Sequence, residues 1–434
     1  MKKPYTKGWL CSVLLLTFIA YPFNLYSQNF KVNYDENKIA PYILPDPLKM
    51  ENGKVVKTDY AWWKQRRPEI LSLFEKNVYG KTPSKKLPLS FKVLSVDQKA
   101  LNGKATRKEV VVYFTANKKG PSMTLLIYLP NRSKPSPVFL SMNFNGNHTI
   151  TSDNSISITQ SWVPNNKVNN ITDNKANPGT RGIDSASWPL KQIIERGYGI
   201  VTFYYGDIAP DNKECLQNQI FSLFRTSSEV NRKPDEWGGL GIWAWGLSRA
   251  MDYICTDRQI DPKKVIVLGH SRLGKAAVWA GAQDRRFAIV VSNNSGCGGA
   301  ALSMRAIGET VKIINTNFPY WFCENFRKYN DNEAALPVDQ HELIALIAPR
   351  PVYIASAEDD KWSDPKGEFL SGVYASPVYK LLHTNGLSIA AMPPVNQPVM
   401  NTIAYHIRTG GHAITLYDWE RYMDFADMNF KKQK

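Results

Sequence analysis

The sequence predicts an α/β protein with a mostly parallel central sheet, helices on both faces and an antiparallel edge on its N-terminal side. Three observations support this prediction. Alternating apolar and polar residues form short strand patterns near the N-terminus, and apolar strands separated by helical patterns follow from residue 138 onward. A sharp strand–turn–helix pattern then occurs at residues 265–282.

The N-terminal third begins with a helical pattern at 62–79, followed by predicted strands at 89–93, 106–114 and 123–129. Their period of two residues is typical of a sheet with one buried face. The later apolar runs predict strands at 138–142, 200–204, 265–268, 288–292, 352–355 and 387–392. Helices are predicted at 189–195, 238–255 and 273–282, and this alternation favours parallel strands joined by crossover helices.

The chain has 434 residues, of which 43% are hydrophobic, enough for a large core. We expect a single α/β catalytic domain over residues 28–434, since no linker divides this part of the chain. A polar segment around 149–188 interrupts the pattern and is rich in Asn, Ser, Thr and Gly. Two interpretations stay open for it: a mobile surface loop, or a wall of a cleft at the strand ends.

Residues 1–27 have the pattern of a signal peptide. Lys2, Lys3 and Lys7 form a basic start, residues 9–20 are apolar, and Ser27 is a small residue at a plausible cleavage point. The apolar run is too short for a comfortable membrane span, so stable membrane insertion is not expected. The predicted location is periplasmic or secreted.

The formal charge is +16, and +13 without the three lysines of the predicted signal peptide. Because lysines and arginines are scattered rather than grouped, nucleic-acid binding is not expected. A basic exported protein could instead be attracted to an acidic polysaccharide.

The strand–turn–helix pattern contains Gly269-His270-Ser271-Arg272-Leu273-Gly274-Lys275. A glycine, any residue and a serine between a strand and a helix outline a nucleophile elbow, the turn that exposes the reactive serine in α/β-hydrolases. The second glycine of the usual Gly-x-Ser-x-Gly pattern comes one residue late here. Ser271 is the predicted nucleophile.

A serine nucleophile needs a histidine base and an acid, which in this fold follow it in the order acid, then histidine. Of six histidines, His412 alone follows two glycines near the C-terminus, a setting that suits a loop over the elbow. His270 should point away from the nucleophile. The remaining four are expected to be structural or solvated.

The acid should follow the strand predicted at 352–355, where several carboxylates compete. Asp360 is favoured because a proline follows it at short range, with Glu358 and Asp359 in reserve. Among the cysteines after residue 27, Cys297 and Cys323 flank one excursion after a strand and form the candidate disulfide. Cys255 is expected to be a buried free thiol.

The elbow and four later motifs resemble the glucuronoyl esterases of carbohydrate esterase family 15, most closely the bacterial branch. The later motifs are Ser-Gly-Cys-Gly-Gly at 295–299, Ile-Gly-Glu-Thr at 307–310, Glu-Asp-Asp-Lys-Trp at 358–362, and His-Ile-Arg-Thr-Gly-Gly-His at 406–412. The resemblance runs from about residue 40 to the C-terminus. It accounts for the late glycine, because Gly-x-Ser-Arg-x-Gly-Lys is this family's form of the elbow.

The resemblance implies hydrolysis of esters between (4-O-methyl-)glucuronic acid of xylan and alcohols of lignin. It implies that Arg272 lies on the oxyanion side, that Lys275 and Glu309 hold sugar hydroxyls, and that Trp362 lines the glucuronate pocket. Fungal members place the acid in a Glu-Ser-Gly motif, where this chain has Asn294-Ser295-Gly296. That departure favours the later loop and Asp360.

Independently of the resemblance, attack on an ester builds charge on the carbonyl oxygen, where each fixed donor contributes roughly 3–4 kcal/mol. The expected partner is a glucuronoxylan or lignin–carbohydrate ester, with no metal or organic cofactor and with a monomer as the default.

Two rival hypotheses stay open: an acetyl-xylan or other carbohydrate esterase, and a non-catalytic polysaccharide-binding protein on the same fold.

Overall fold

The computed structural model describes residues 30–225 and 232–431. The predicted signal peptide, residues 1–27, lies outside the described residues. From residue 31 onward the chain forms one compact unit. In the described part of the chain, no helix is long and apolar enough to cross a membrane.

The structure contains one nine-stranded sheet and ten α-helical segments in the described residues. The strands are β1 Ser90–Ala100, β2 Ala105–Tyr113, β3 Ser122–Pro130, β4 Ser136–Asn143, β5 Gly199–Tyr204, β6 Ile260–His270, β7 Ile289–Asn293, β8 Val352–Ala357 and β9 Ile403–Arg408. The helices are α1 Asp59–Ala61, α2 Arg67–Asn77, α3 Leu190–Glu195, α4 Gln219–Ser222, α5 Gly239–Ile254, α6 Arg272–Gln283, α7 Val311–Asn317, α8 Gln340–Ala345, α9 Pro365–Leu381 and α10 Leu416–Lys431. A π-helical turn, Trp62–Arg66, joins α1 to α2.

The strand order is β1-β2-β3-β5-β4-β6-β7-β8-β9. Strands β1, β2 and β3 pair antiparallel with one another, and β3 pairs antiparallel with β5. From β5 to β9 every pairing is parallel. This is the α/β-hydrolase sheet with the antiparallel N-terminal edge that the sequence predicts.

The buried residues form two clusters, one on each face of the sheet. Helices α5, α6 and α9 contribute Trp243, Trp279 and Phe369 to the larger cluster, whereas α3 and α10 contribute Ile193 and Trp419 to the other. Successive residues of a strand point to opposite faces, so each central strand supplies apolar side chains to both clusters. Helices therefore cover both faces, as predicted.

The strand predicted at 387–392 is wrong, and the last strand is β9 instead. The earlier segment is mostly exposed and ends at Pro393 and Pro394, which cannot continue a ladder of hydrogen bonds. Strand β9 is fully buried although it carries His406 and Arg408. Both side chains bind Asp418 of α10, a long-range pairing that no local pattern reveals.

The predicted Cys297–Cys323 disulfide is wrong, because both residues are free thiols. The Sγ atom of Cys323 lies 3.7 Å from the carbonyl oxygen of Lys76, on the N-terminal helical segment. Cys255 is also free, as predicted, but it is exposed rather than buried. It caps the C-terminus of α5, where the apolar face of the helix has already ended.

The polar segment at 149–188 contains several buried residues and is tied to the sheet. Its Asp153 binds Arg107 of β2 at 2.9 Å, and the Ser161 hydroxyl donates to Asp207, just after β5, at 2.6 Å. Val163 and Ile171 join the larger core cluster. The segment is therefore packed on β2 and the end of β5.

Candidate active site

The turn between β6 and α6 has the backbone of a nucleophile elbow. Ser271 has φ 57° and ψ −131°, a strained conformation for a non-glycine residue, directly before the first residue of α6. Its N–H donates to the carbonyl of Asn293 on the parallel neighbour β7 at 2.9 Å. The serine is thus held at the carboxyl end of the central strands, where the N-terminus of α6 favours developing negative charge.

Two glycines allow this turn to close. A Cβ atom at Gly269 would lie 2.0 Å from the carbonyl oxygen of Leu273, so no side chain fits there. A Cβ at Gly274 would lie 3.0 Å from the carbonyl oxygen of Gly269 and from Cβ of Ser295. Leu273, at the usual glycine position, is buried in the core. The close approach therefore falls one residue later, at Gly274.

His412 and Asp360 form the hydrogen-bonded pair that the sequence predicts. The Nδ1 atom of His412 lies 2.7 Å from Oδ2 of Asp360. The histidine side chain is 35% exposed, whereas that of Asp360 is 3% exposed. An exposed imidazole oriented by a buried carboxylate is the arrangement that general-base catalysis requires.

The two loops that carry this pair are joined by backbone hydrogen bonds. The N–H of Glu358 donates to the carbonyl oxygen of Arg408 at 2.9 Å, and the N–H of Asp359 donates to the carbonyl oxygen of Gly410 at 3.1 Å. Of the three candidate acids, Asp359 is exposed and Glu358 is half-buried. Only Asp360 has a hydrogen bond to His412 among the described contacts.

Asp360 is held in its ionised form. Burial by itself would raise the pKa of Asp360, but hydrogen bonds from His412, Ser363 and Asn294, with the charge of His412, outweigh burial and lower it. The amide of Asn294 donates to Oδ2 at 2.8 Å. Asn294 therefore supports Asp360, the candidate acid.

His270 lies beside His412. Its ring centroid is 4.6 Å from that of His412, and its Nδ1 lies 2.6 Å from Oδ1 of Asn293. Burial first, and then the charge of His412, lower the pKa of His270 to about 3. A neutral imidazole thus packs against His412 without adding a competing charge.

Arg272 opens α6 and is bound to Asp211, a buried carboxylate that the sequence analysis did not single out. Asp211 also accepts hydrogen bonds from the Tyr320 hydroxyl at 3.0 Å and the Trp321 indole at 2.7 Å. Burial alone would lower the pKa of Arg272, but Asp211 outweighs it and raises that pKa. The guanidinium is also in contact with three aromatic rings, those of Phe144, Phe318 and Trp321. This pairing offsets the cost of a cation at a helix N-terminus.

Lys275 and Glu309 are brought together in a buried ion pair, with Nζ 3.2 Å from Oε2. Nζ also donates to the carbonyls of Ser295 and Cys297, each at 2.7 Å. An ammonium group has three donors, so all of them are engaged. The backbone N–H of Glu309 donates to Trp362 at 2.9 Å. The structure therefore groups Lys275, Glu309 and Trp362, with Lys275 orienting the glutamate.

Glu368 of α9 is a buried carboxylate that sequence reasoning missed. One oxygen accepts from the N–H groups of Ser295 and Gly296 at 2.8 and 3.0 Å, and the other from the Ser356 hydroxyl at 2.6 Å. Burial is the main cause that raises the pKa of Glu368 to about 8. Like Asp211, it binds groups far away along the chain, here Ser295 and Gly296, so no local motif marks it.

A strained serine on the turn after β6, with a histidine–aspartate pair on the loops that follow β8 and β9, defines a serine hydrolase of the α/β-hydrolase class. Within residues 30–225 and 232–431, no group of three or more His, Cys, Asp or Glu side chains is arranged to hold a metal ion.

Comparison with known proteins identifies the family. A family model described as glucuronyl esterase, fungi, matches residues 152–383. Carbohydrate esterase MZ0003, from an unknown prokaryotic organism, is 49% identical over 405 residues, which cover 93% of each chain. The solved glucuronoyl esterase from Solibacter usitatus is 44% identical with a TM-score of 0.86, covering 91% of this chain and all of that one. A solved promiscuous esterase of carbohydrate esterase family 15 from a marine bacterial metagenome is 49% identical, with a TM-score of 0.87 over 92% of this chain and all of that one.

The chain belongs to the glucuronoyl esterase family, carbohydrate esterase family 15. The sequence prediction of family and fold is confirmed.

Proposed function

We propose that this enzyme hydrolyses esters of (4-O-methyl-)glucuronic acid, as in lignin–xylan cross-links, through an acyl-enzyme formed on Ser271. His412 takes the proton of the serine hydroxyl and later returns it to the leaving alcohol, while Asp360 orients the imidazole and stabilises the imidazolium. The observation that carries this proposal is the 2.7 Å bond between His412 and Asp360, with the His412 ring 4.6 Å from that of His270, the residue before the strained serine. Water then releases the glucuronate and regenerates the serine.

The oxyanion of each tetrahedral intermediate would be stabilised by the N–H that follows Ser271 and by the Arg272 guanidinium. Asp211 supports this role because it fixes the guanidinium by an ion pair, so the cation needs little reorganisation during the reaction. The aromatic rings around Arg272 limit its access to water and strengthen its electrostatic effect.

The sugar would lie beside Glu309 and Trp362. A carboxylate accepts hydrogen bonds from sugar hydroxyls, and an indole offers an apolar face to a pyranose ring. Lys275 would act through Glu309, since its three donors already bind Ser295, Cys297 and Glu309. The substrate partner would be a glucuronoxylan or a lignin–carbohydrate ester, bound by a monomer that residues 1–27 export to the periplasm or the medium.

The decisive experiment compares the wild type with Ser271→Ala on benzyl glucuronate. The variant should lose turnover by about four to six orders of magnitude, because the acyl-enzyme cannot form. Near-normal turnover by the variant would contradict the proposed nucleophile. Product is measured as released benzyl alcohol.

A second candidate function is acetyl-xylan or other carbohydrate esterase activity, since one 49%-identical relative is described as promiscuous. Methyl glucuronate, methyl galacturonate and acetylated xylan should be compared side by side. The polar Lys275–Glu309 pair beside Trp362 favours a uronate ester, because an acetyl group would need only a small apolar cavity. Faster cleavage of acetylated xylan would favour the second candidate.

A further inference from the structure

The segment 33–38 lies before the first helix of the fold and is fastened to the loops of the candidate active site. The carbonyl of Asn33 accepts a hydrogen bond from the N–H of Gly308 at 2.9 Å. The next residue, Glu309, donates its own N–H to Trp362. The backbone of Asn33 is therefore bonded to the residue that precedes Glu309, and Glu309 and Trp362 are the two residues proposed to face the sugar.

Gly308 makes this approach possible. Its φ is +63°, and a Cβ there would lie 2.3 Å from the carbonyl oxygen of Trp362. No other residue could occupy this position without separating Glu309 from Trp362. Gly308 thus contacts both segment 33–38 and the loop that carries Asp360 and Trp362 through backbone atoms.

Ion pairs fasten the other end of the segment. Glu36 binds Arg305 with one carboxylate oxygen and Lys366 with the other, the latter at 2.8 Å. Arg305 is buried and also binds Asp364 at 2.7 Å, and Asp364 caps the helix that follows the acid loop. The segment is connected on both sides to the loop that carries Asp360 and Trp362.

Tyr34 lies between these two attachments and is 50% exposed. Partial burial, and then the charge of Asp360, raise the pKa of its hydroxyl. Half of the surface of Tyr34 is therefore accessible to a ligand. Aromatic rings on a rigid backbone bind apolar faces of sugars at low entropic cost.

We propose that Tyr34 is a sugar-binding residue, which packs its ring against a pyranose of the carbohydrate part of the ester substrate and completes the wall begun by Glu309 and Trp362. This inference rests on the proposed function. Because Asn33, the residue before Tyr34, is hydrogen-bonded to Gly308, and Glu309 follows Gly308, the expected contact is with the carbohydrate and not with the alcohol.

The test uses the full-length enzyme with Tyr34→Ala and Tyr34→Phe, on methyl glucuronate and benzyl glucuronate. Tyr34→Ala should raise KM about three- to ten-fold on both esters, with kcat within about two-fold, because an aromatic contact is lost. That change in KM corresponds to roughly 0.7–1.4 kcal/mol. Tyr34→Phe should retain the wild-type KM within about two-fold, because the ring face remains. Tyr60→Ala, which removes a 67% exposed tyrosine from α1, is the matched control and should change nothing.

A double-variant cycle separates binding from folding. Glu36→Gln should weaken the attachment of the segment and raise KM, and combining it with Tyr34→Ala should add little, because both act on one contact. Lys38→Gln, on the same segment but paired only with Asp35 among the described contacts, should behave as wild type. Thermal midpoints of all variants should remain within a few degrees.

The outcomes separate the two proposals. Unchanged KM in Tyr34→Ala, with an inactive Ser271→Ala, would overturn the sugar-binding role and leave the proposed function intact. A loss confined to the benzyl ester would place Tyr34 on the alcohol and also overturn the inference. Failure of the wild type to cleave either ester would overturn the proposed function, and the inference with it.

Discussion

At the scale of single residues, the candidate site depends on side chains held by buried partners. Asp360 is kept ionised by His412 and Asn294, and Arg272 is fixed by Asp211. The groups proposed to act in the reaction therefore need no large rearrangement. Such preorganisation is the usual source of electrostatic catalysis.

Asp360→Asn should reduce kcat by about three to four orders of magnitude, because the amide can no longer hold the required tautomer or stabilise the imidazolium. Asp359→Asn, which changes an exposed neighbour, is the control and should stay near wild type. The measurement is kcat on benzyl glucuronate. An inactive Glu358→Gln beside an active Asp360→Asn would reassign the acid.

Glu368 predicts a pH effect on stability. Its folded-state pKa of about 8 lies above the ordinary value of 4.5. Its contribution to the free energy of unfolding is therefore complete below about pH 4.5 and is lost as the pH rises toward 8. Glu368→Gln removes this dependence, so the variant should gain stability relative to wild type between pH 5 and pH 8.

Thermal unfolding of both proteins at several pH values measures this difference. Glu214→Gln, at an exposed glutamate, should follow the wild-type profile. A constant difference between wild type and Glu368→Gln at all pH values would mean that the folded-state pKa is not raised.

At the scale of elements, the turn from β6 to α6 decides where the nucleophile stands. A side chain at Gly269 would clash with the backbone of Leu273. A side chain at Gly274 would make tight contacts but no such clash. The two glycines of the motif therefore have different tolerances, although the sequence pattern treats them alike.

Gly269→Ala should lower the free energy of unfolding by about 1–3 kcal/mol and reduce activity, because backbone must move to admit the methyl group. Gly274→Ala should cost less, since the helix gains roughly 1 kcal/mol of propensity against a contact that is only tight. Urea unfolding and turnover check both. Equal effects from the two substitutions would contradict the described turn geometry.

At the scale of the whole molecule, the fold is held by its core and not by a disulfide. The four cysteines in the described residues are free, and Cys215, Cys297 and Cys323 are buried. Burial raises the pKa of Cys323 to about 11, so its thiolate is scarce at neutral pH. Only the exposed Cys255 should react readily.

Titration of the chain from residue 28 with a thiol reagent should therefore find one reactive thiol in the native protein and four after denaturation. A reducing agent should leave the thermal midpoint unchanged. Two reactive thiols after denaturation, together with a lower thermal midpoint on reduction, would instead support the predicted Cys297–Cys323 disulfide.

Most of the sheet was predictable because apolar periodicity reports directly which strands are buried on both faces. Strand β9 was not predicted because it carries His406 and Arg408, polar residues that ordinarily mark an exposed segment. Their burial is possible only through Asp418, ten or more residues away on α10. The segment at 387–392 looked like a strand because a short apolar run does not reveal what covers it.

The sequence by itself determined the fold class, the family and the candidates Ser271, His412 and Asp360, since these depend on local patterns and on chain order. The tertiary structure alone decided the partners: Asp211 for Arg272, Glu309 for Lys275, and the free state of Cys297 and Cys323. The physical reason is that buried charges and thiols are defined by neighbours that arrive from distant parts of the chain, and sequence spacing carries no record of those distances.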